Sequence, residues 1–199
     1  MSYWYCFLFC SFLIFLQGLS DGLHALAFVD NHDNQREHGS DGNILTYKED
    51  YKYKLAVGFM LAQPYGFKRV MSSYDFESRD QGPPKLPPNS VTQGLCENGW
   101  ICEHRWSSIM NMVKFANAVS GTYLENWQNY GDSLGFSRGS KGFFAMGELN
   151  NVEFYTGLPD GEYCDIIHDC KQTIHVINGK AVFNKAQSND PVVAICVGC

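Results

Sequence analysis

Hydrophobic periodicity changes once along this chain, and that change limits the folds open to it. Up to about residue 120, apolar runs alternate between strand-like and helix-like spacing; from about Leu134 onward only short strand-like runs remain, separated by turns. Alternating strands and helices imply parallel pairing through helical crossovers, and a string of short strands implies an antiparallel β module. The expected fold class is therefore α/β followed by all-β.

The elements can be placed from local signals. The apolar run from Leu26 to Val29 stops in the polar cluster Asp30-Asn31-His32-Asp33-Asn34, the pattern of a buried parallel strand entering a loop. Thr46 and Glu49 form a capping-box pair, and Tyr51, Leu55, Phe59 and Ala62 then recur at helical spacing until Pro64. Phe67 to Ser73 reads as a second strand. The stretch from Asp75 to Gly99, with Pro83, Pro84, Pro87 and Pro88, reads as a long loop, and loops of that length usually have a function. Trp106, Ile109, Met110, Val113 and Ala116 mark a second helix with Gly121 as its C-terminal cap. Further on, Asn178-Gly179 predicts a hairpin joining Thr173–Ile177 to Ala181–Phe183.

Composition narrows the partners. A chain of 199 residues with 45% hydrophobic content can build a packed core, and a net charge of -6 with no block among its 15 Lys and Arg residues excludes an evident nucleic-acid or acidic-membrane surface. A neutral or polar ligand fits better. Eight cysteines point to an oxidising compartment. Cys96 with Cys102, and Cys164 with Cys170, lack zinc-site spacing and read as small-loop disulfides. Cys196-Val-Gly-Cys199 stands at the chain end with no following helix, which argues against a redox motif and leaves its pairing open. Residues 1–20 hold an apolar run, Trp4 to Leu16, too short to span a bilayer and followed by Gly18 and Ser20 at cleavage-site spacing, so a signal peptide and secretion are expected. A buried helix or an unrelated extension is the alternative. No internal repeat and no Asn-x-Ser/Thr acceptor occurs.

Asp33 beside His32 is the candidate for chemistry, because a carboxylate can stabilise a developing cation while an imidazole donates to a bound hydroxyl. The competing reading is a polar turn whose side chains bond backbone N–H groups. A resemblance bears on the choice. FVDNHDNQREHG at 28–39, YKLAVGFMLAQPYGFKRVMSSY at 53–74, CENGWICEHRW at 96–106 and TGLPDGEYCDII at 156–167 resemble, in the same order, motifs of the animal-type chloride-dependent α-amylases. The resemblance covers nearly the whole chain after residue 18.

What it implies is specific. The fold would be the last two β/α units of a TIM (β/α)8 barrel at 21–121, followed by a Greek-key β-sandwich at 122–199. Asp33 would be the transition-state stabiliser, His32 a substrate contact, and His38 a substrate contact in a mobile loop; Asn31 and Arg69 would be chloride ligands. The activity would be endo-hydrolysis of α-1,4-glucosidic bonds in starch or glycogen by a retaining mechanism, in a secreted monomer using calcium and chloride, with no nucleic-acid or membrane partner. The family's nucleophile, general acid, calcium ligands and remaining chloride arginine belong to upstream barrel strands, so the isolated chain is expected to be inactive, with no metal site of its own. Glu37 stands where the family usually has glycine, and the CVGC ending differs from the family's polar tail. A non-catalytic secreted glucan-binding or structural protein, a non-functional product, and a related transglycosidase or maltase are the rival readings.

Overall fold

The computed structural model describes residues 20–39, 44–85, 96, 99–184 and 192–199; the apolar segment expected to act as a signal, with Cys6 and Cys10, lies outside them except for Ser20. The first described elements are β1 (Leu26–Ala27), α1 (Asp50–Ala62), β2 (Phe67–Lys68) and α2 (Ser107–Ala118). β1 and β2 pair in parallel, Leu26 opposite Phe67 and Ala27 opposite Lys68, and α1 is the crossover such pairing requires. Both strands are shorter than their apolar runs. Beyond Arg69 the backbone leaves the ladder for other partners: Ser73 N–H donates to Glu103 Oε2 at 2.7 Å, and Ser73 C=O accepts from Ile101 N–H at 2.9 Å.

The Thr46–Glu49 capping box forms, on a 3-10 turn (Tyr47–Glu49) that leads into α1, and the helix ends two residues before Pro64. From Val57 to Ala62 the helix is buried all round, because α2, the β1–β2 pair and the β module all pack against it. In α2 the buried face carries Ile109, Met112 and Phe115. Met110 and Val113, expected inward, are 44% and 40% exposed. Both stripes fit a helical period, and the large Phe115 ring decides between them: it lies so close to the β module that a Cβ on Gly142 would come within 2.8 Å of it. The helix stops at Ala118, and Gly121, with φ of +76°, serves the turn beyond it rather than the cap.

The β module begins earlier than its apolar runs indicate. β3 (Leu124–Tyr130) is a mostly polar edge strand with an irregular register between Glu125 and Gln128, so hydrophobic pattern does not reveal it. It is followed by β4 (Ser133–Arg138), β5 (Gly142–Gly147), β6 (Val152–Tyr155), β7 (Gly161–Cys164), β8 (Thr173–Val176), β9 (Lys180–Phe183) and β10 (Val192–Cys196). An antiparallel sheet has the order β10-β5-β4-β3, while β6 pairs with β9 and β7 with β8. β4, β5 and β10 are buried on both faces. Phe136, Phe144, Met146 and Val192 face the helices, and Phe143, Ala145, Val193 and Ile195 face Phe154, Ile174, Val176 and Phe183 of the second strand layer.

The Asn178-Gly179 turn is present, with φ of +52° and +72° and reciprocal backbone bonds between Ile177 and Lys180 at 2.9 and 3.0 Å. The long hairpin ladder expected from it is not. After that single bridge β8 follows β7 and β9 follows β6, because packing against the sheet selects the partners. Disulfides join Cys96 to Cys102, Cys164 to Cys170 and Cys196 to Cys199. Among the described residues no helix is long and apolar enough to cross a membrane.

Candidate functional site

The turn after β1 is held together from within. Asn31 Oδ1 accepts from the N–H groups of Asp33 and Asn34, each at 2.9 Å, and Asn34 Oδ1 accepts from Asn31 N–H at 2.7 Å. Of the residues in the polar-turn reading, Asp30, Asn31 and Asp33, Asn31 bonds backbone N–H groups in this way, and so does Asn34, which that reading did not name. That same turn projects His32 and Asp33 outward, their side chains 78% and 65% exposed and 3.5 Å apart from Nε2 to Oδ1. A 3-10 turn (Asn34–Arg36) follows, and Asp33 C=O accepts from both Arg36 N–H (3.0 Å) and His38 N–H (3.1 Å), folding His38 back toward Asp33. To make this return Glu37 adopts φ of +67°. A residue with a Cβ costs about 1–2 kcal/mol there, which explains why glycine is the residue suited to that position.

Beneath the turn lies a buried polar layer. Asp30 is 2% exposed and Glu103 fully buried. Tyr53 O–H donates to Asp30 Oδ1 at 2.9 Å, and the Ser73 hydroxyl donates to Gln35 Oε1 at 2.9 Å while its N–H serves Glu103. Burial pushes the Asp30 carboxyl up to about 6; the Glu103 charge adds to the rise and the Tyr53 hydrogen bond opposes it. Burial, then the two carboxylates, push the Tyr53 hydroxyl upward as well.

The opposite wall comes from the long loop. The Arg36 guanidinium lies over the Tyr74 ring at 4.1 Å and the Phe76 ring at 4.8 Å, and it donates to Gln81 C=O at 2.9 Å. Arg79 Nη2 approaches His38 Nδ1 at 3.0 Å, and Asp80 Oδ1 lies 3.5 Å from His38 Nε2. The result is an open cleft of about 410 Å³ lined by His32, Asp33, Arg36, His38, Tyr74, Arg79 and Asp80.

Three expected site residues, His32, Asp33 and His38, thus meet in one cleft. Asn31 lies in the turn beneath, its Oδ1 used by the backbone so that its amide nitrogen is the end able to donate to an anion. Arg69, just past β2, is exposed, with its N–H bonded to Ala27 C=O at 2.9 Å. Asn31 and Arg69 both offer donors, the chemistry a halide requires. Among the described residues no group of three or more His, Cys, Asp or Glu is placed to hold a metal ion. Sequence reading missed Arg36, Tyr74, Arg79 and Asp80 as lining residues, and the buried Asp30–Tyr53–Glu103 layer. The length of the proline-rich loop was the one signal pointing to Arg79 and Asp80.

The motif cluster at a strand end, with this cleft above it, can be set beside known proteins. No protein-family model matches the chain. Its sequence is 52% identical over 158 residues to an α-amylase of Tribolium castaneum, covering 75% of this chain and 32% of the relative. It is 46% identical over 196 residues to one of Hypothenemus hampei (90% and 40%), and 45% identical over 203 residues to the pancreatic α-amylase of Struthio camelus (87% and 41%). The chain belongs to the animal α-amylase family. It matches the C-terminal part of that family's sequence and spans 32% to 41% of the length of these relatives. Among solved structures, α-amylase I of Eisenia fetida superposes with a TM-score of 0.80 at 37% identity, over 91% of this chain and 42% of that one. A mutant of the same earthworm amylase has been solved with maltohexaose and superposes equally well.

Proposed function

We propose that this α-amylase chain contributes one side of an α-1,4-glucan site in which Asp33 stabilises the positive charge that develops at the anomeric carbon, while His32 and His38 donate to sugar hydroxyls. The observation that carries the reading is the convergence of these three residues on one cleft in a chain 45–52% identical to α-amylases. The earthworm relative solved with maltohexaose supports a linear α-glucan as the ligand. Residues 21–121 are read as the last two β/α units of a (β/α)8 barrel, supported by the parallel β1–β2 pair with its helical crossover. Residues 122–199 are read as a Greek-key sandwich, supported by the packing of the β10-β5-β4-β3 sheet against a second layer made of the separate β6–β9 and β7–β8 pairs.

Retaining hydrolysis requires a nucleophile and a protonated acid in addition to Asp33. Asp33 alone, largely exposed to water, supplies neither, so the 199 residues alone bind glucan without cleaving it. Asn31 and Arg69 would hold part of a chloride ion, whose charge raises the pKa of the neighbouring acid in a complete site. The six cysteines in three disulfides support an extracellular setting.

The test is maltohexaose titration and starch hydrolysis by the purified chain, with Asp33→Asn beside it. The expected result is saturable binding that shifts the His32 and His38 ring signals in NMR spectra, with no starch cleavage. Absence of those shifts would remove the glucan assignment. Cleavage abolished by Asp33→Asn would instead show that other carboxylates of this chain serve as nucleophile and acid.

A further inference from the structure

The His38 backbone is held by its N–H bond to Asp33 C=O at 3.1 Å, between left-handed Glu37 and Gly39, which has φ of +68°, and that bond does not set the direction of the ring. Its orientation comes from residues 41 and 42 positions further along. Arg79 Nη2 lies 3.0 Å from His38 Nδ1, and Arg79 Nε lies 3.3 Å from Nδ1 and 3.4 Å from Nε2. A guanidinium carries donors only, so the ring nitrogen nearest it must present its lone pair. That nitrogen is Nδ1, which leaves the ring proton on Nε2, and Asp80 Oδ1, an acceptor, faces Nε2 at 3.5 Å. The arm bearing Arg79 and Asp80 is itself pinned. Arg36 stacks on Tyr74 and Phe76 and donates to Gln81 C=O, and Tyr74 O–H donates to that same carbonyl at 2.7 Å.

We propose that Arg79 and Asp80 clamp His38 in its Nε2–H tautomer with the ring facing the cleft, which makes Arg79 a positioning residue and Asp80 a direct contact for a glucan hydroxyl. The chemistry suits a sugar: one hydroxyl can accept from Nε2–H and donate to the Asp80 carboxylate beside it, a pairing that a ligand without a donor hydrogen cannot complete. The hydroxyl-contact part rests on the glucan reading above; the clamp itself does not.

The test separates the two. NMR of the ¹⁵N-labelled chain without ligand, above the histidine titration range, reports which His38 nitrogen carries the proton; maltohexaose is then titrated into the same samples. In wild-type protein Nδ1 is unprotonated and hydrogen-bonded. In Arg79→Ala the ring averages between tautomers and maltohexaose binds about tenfold more weakly, while Arg79→Lys, which keeps a donor, restores most of both. Asp80→Asn leaves the Nδ1 signal in place and weakens maltohexaose binding alone. An unchanged His38 signal in Arg79→Ala overturns the clamp, and wild-type affinity in Asp80→Asn overturns the hydroxyl contact. If the wild-type chain binds no maltohexaose, the glucan reading and the hydroxyl contact fall together, while the ligand-free spectra still decide the clamp.

Discussion

Asp30 shows how a single buried group ties the candidate site to solution conditions. It precedes Asn31-His32-Asp33, is almost inaccessible, and has a carboxyl pushed up to about 6 from an ordinary 3.8. The folded state therefore holds the Asp30 proton more tightly than the unfolded chain does. The sign follows: its stability contribution is intact below about pH 4, falls as pH rises through 6, and then levels off, a loss of about 3 kcal/mol for a shift of roughly two units. Asp30→Asn keeps an acceptor for Tyr53 O–H and removes the charge. Urea unfolding should show the variant more stable than wild type by about 2–3 kcal/mol at pH 7.5 and nearly equal to it at pH 4. A variant less stable at both values would mean the buried carboxylate is compensated in the native state. The sequence marked His32, Asp33 and His38 because they lie within seven residues in a recognisable run. It could not mark Arg79 or Glu103, which are ordinary residue types far along the chain and gain their roles only through the fold.

Among the elements, Arg138 does most to join the two halves. It projects from β4, is 4% exposed, and donates through Nη1 to Ala62 C=O at the end of α1 and through Nη2 to Thr122 C=O at 2.9 Å, just past α2. Carbonyls at helix C-termini have no intrahelical partner and carry partial negative charge, so the guanidinium satisfies the end of α1 while tying it to the turn four residues past α2. Arg138→Ala should cost about 2–4 kcal/mol, and Arg138→Lys should recover only part of it, since an ammonium cannot bridge both carbonyls. Lys68 gives an independent readout. Burial chiefly, and the Arg138 charge next, push its ammonium down to about 8, so in Arg138→Ala the Lys68 titration should move upward. A Lys68 titration unmoved in that variant would remove the electrostatic link. At this scale, signals with one local cause were legible: the capping box, the Pro64 stop and the Asn178-Gly179 turn all formed. The features that escaped, the facing of α2, the polar edge strand β3 and the partners of β8 and β9, are set by what each packs against rather than by spacing.

For the molecule as a whole, burial is uneven. The helices and the β module share one core: Phe136, Phe144, Met146 and Val192 pack on α1 and α2, so a cut near residue 122 would strip one face of the sheet. The apparent boundary where periodicity changes is therefore not an energetic boundary. By contrast the β1–β2 pair stands at the rim, with Leu23, Leu26 and Phe67 exposed at 73%, 47% and 67% and only two strands in its sheet among the described residues. An apolar strand pair with open edges is a template for pairing with another chain. The purified chain should therefore self-associate reversibly in the micromolar range, detectable by sedimentation velocity. Leu26→Lys with Phe67→Lys should shift the population toward monomer with the near-ultraviolet circular dichroism of the aromatic core unchanged, because both side chains are exposed and neither belongs to that core. If association persists in the double variant, the contact surface lies elsewhere, and the exposed Tyr123, Tyr130 and Ile177 of the β module become the surface to alter next.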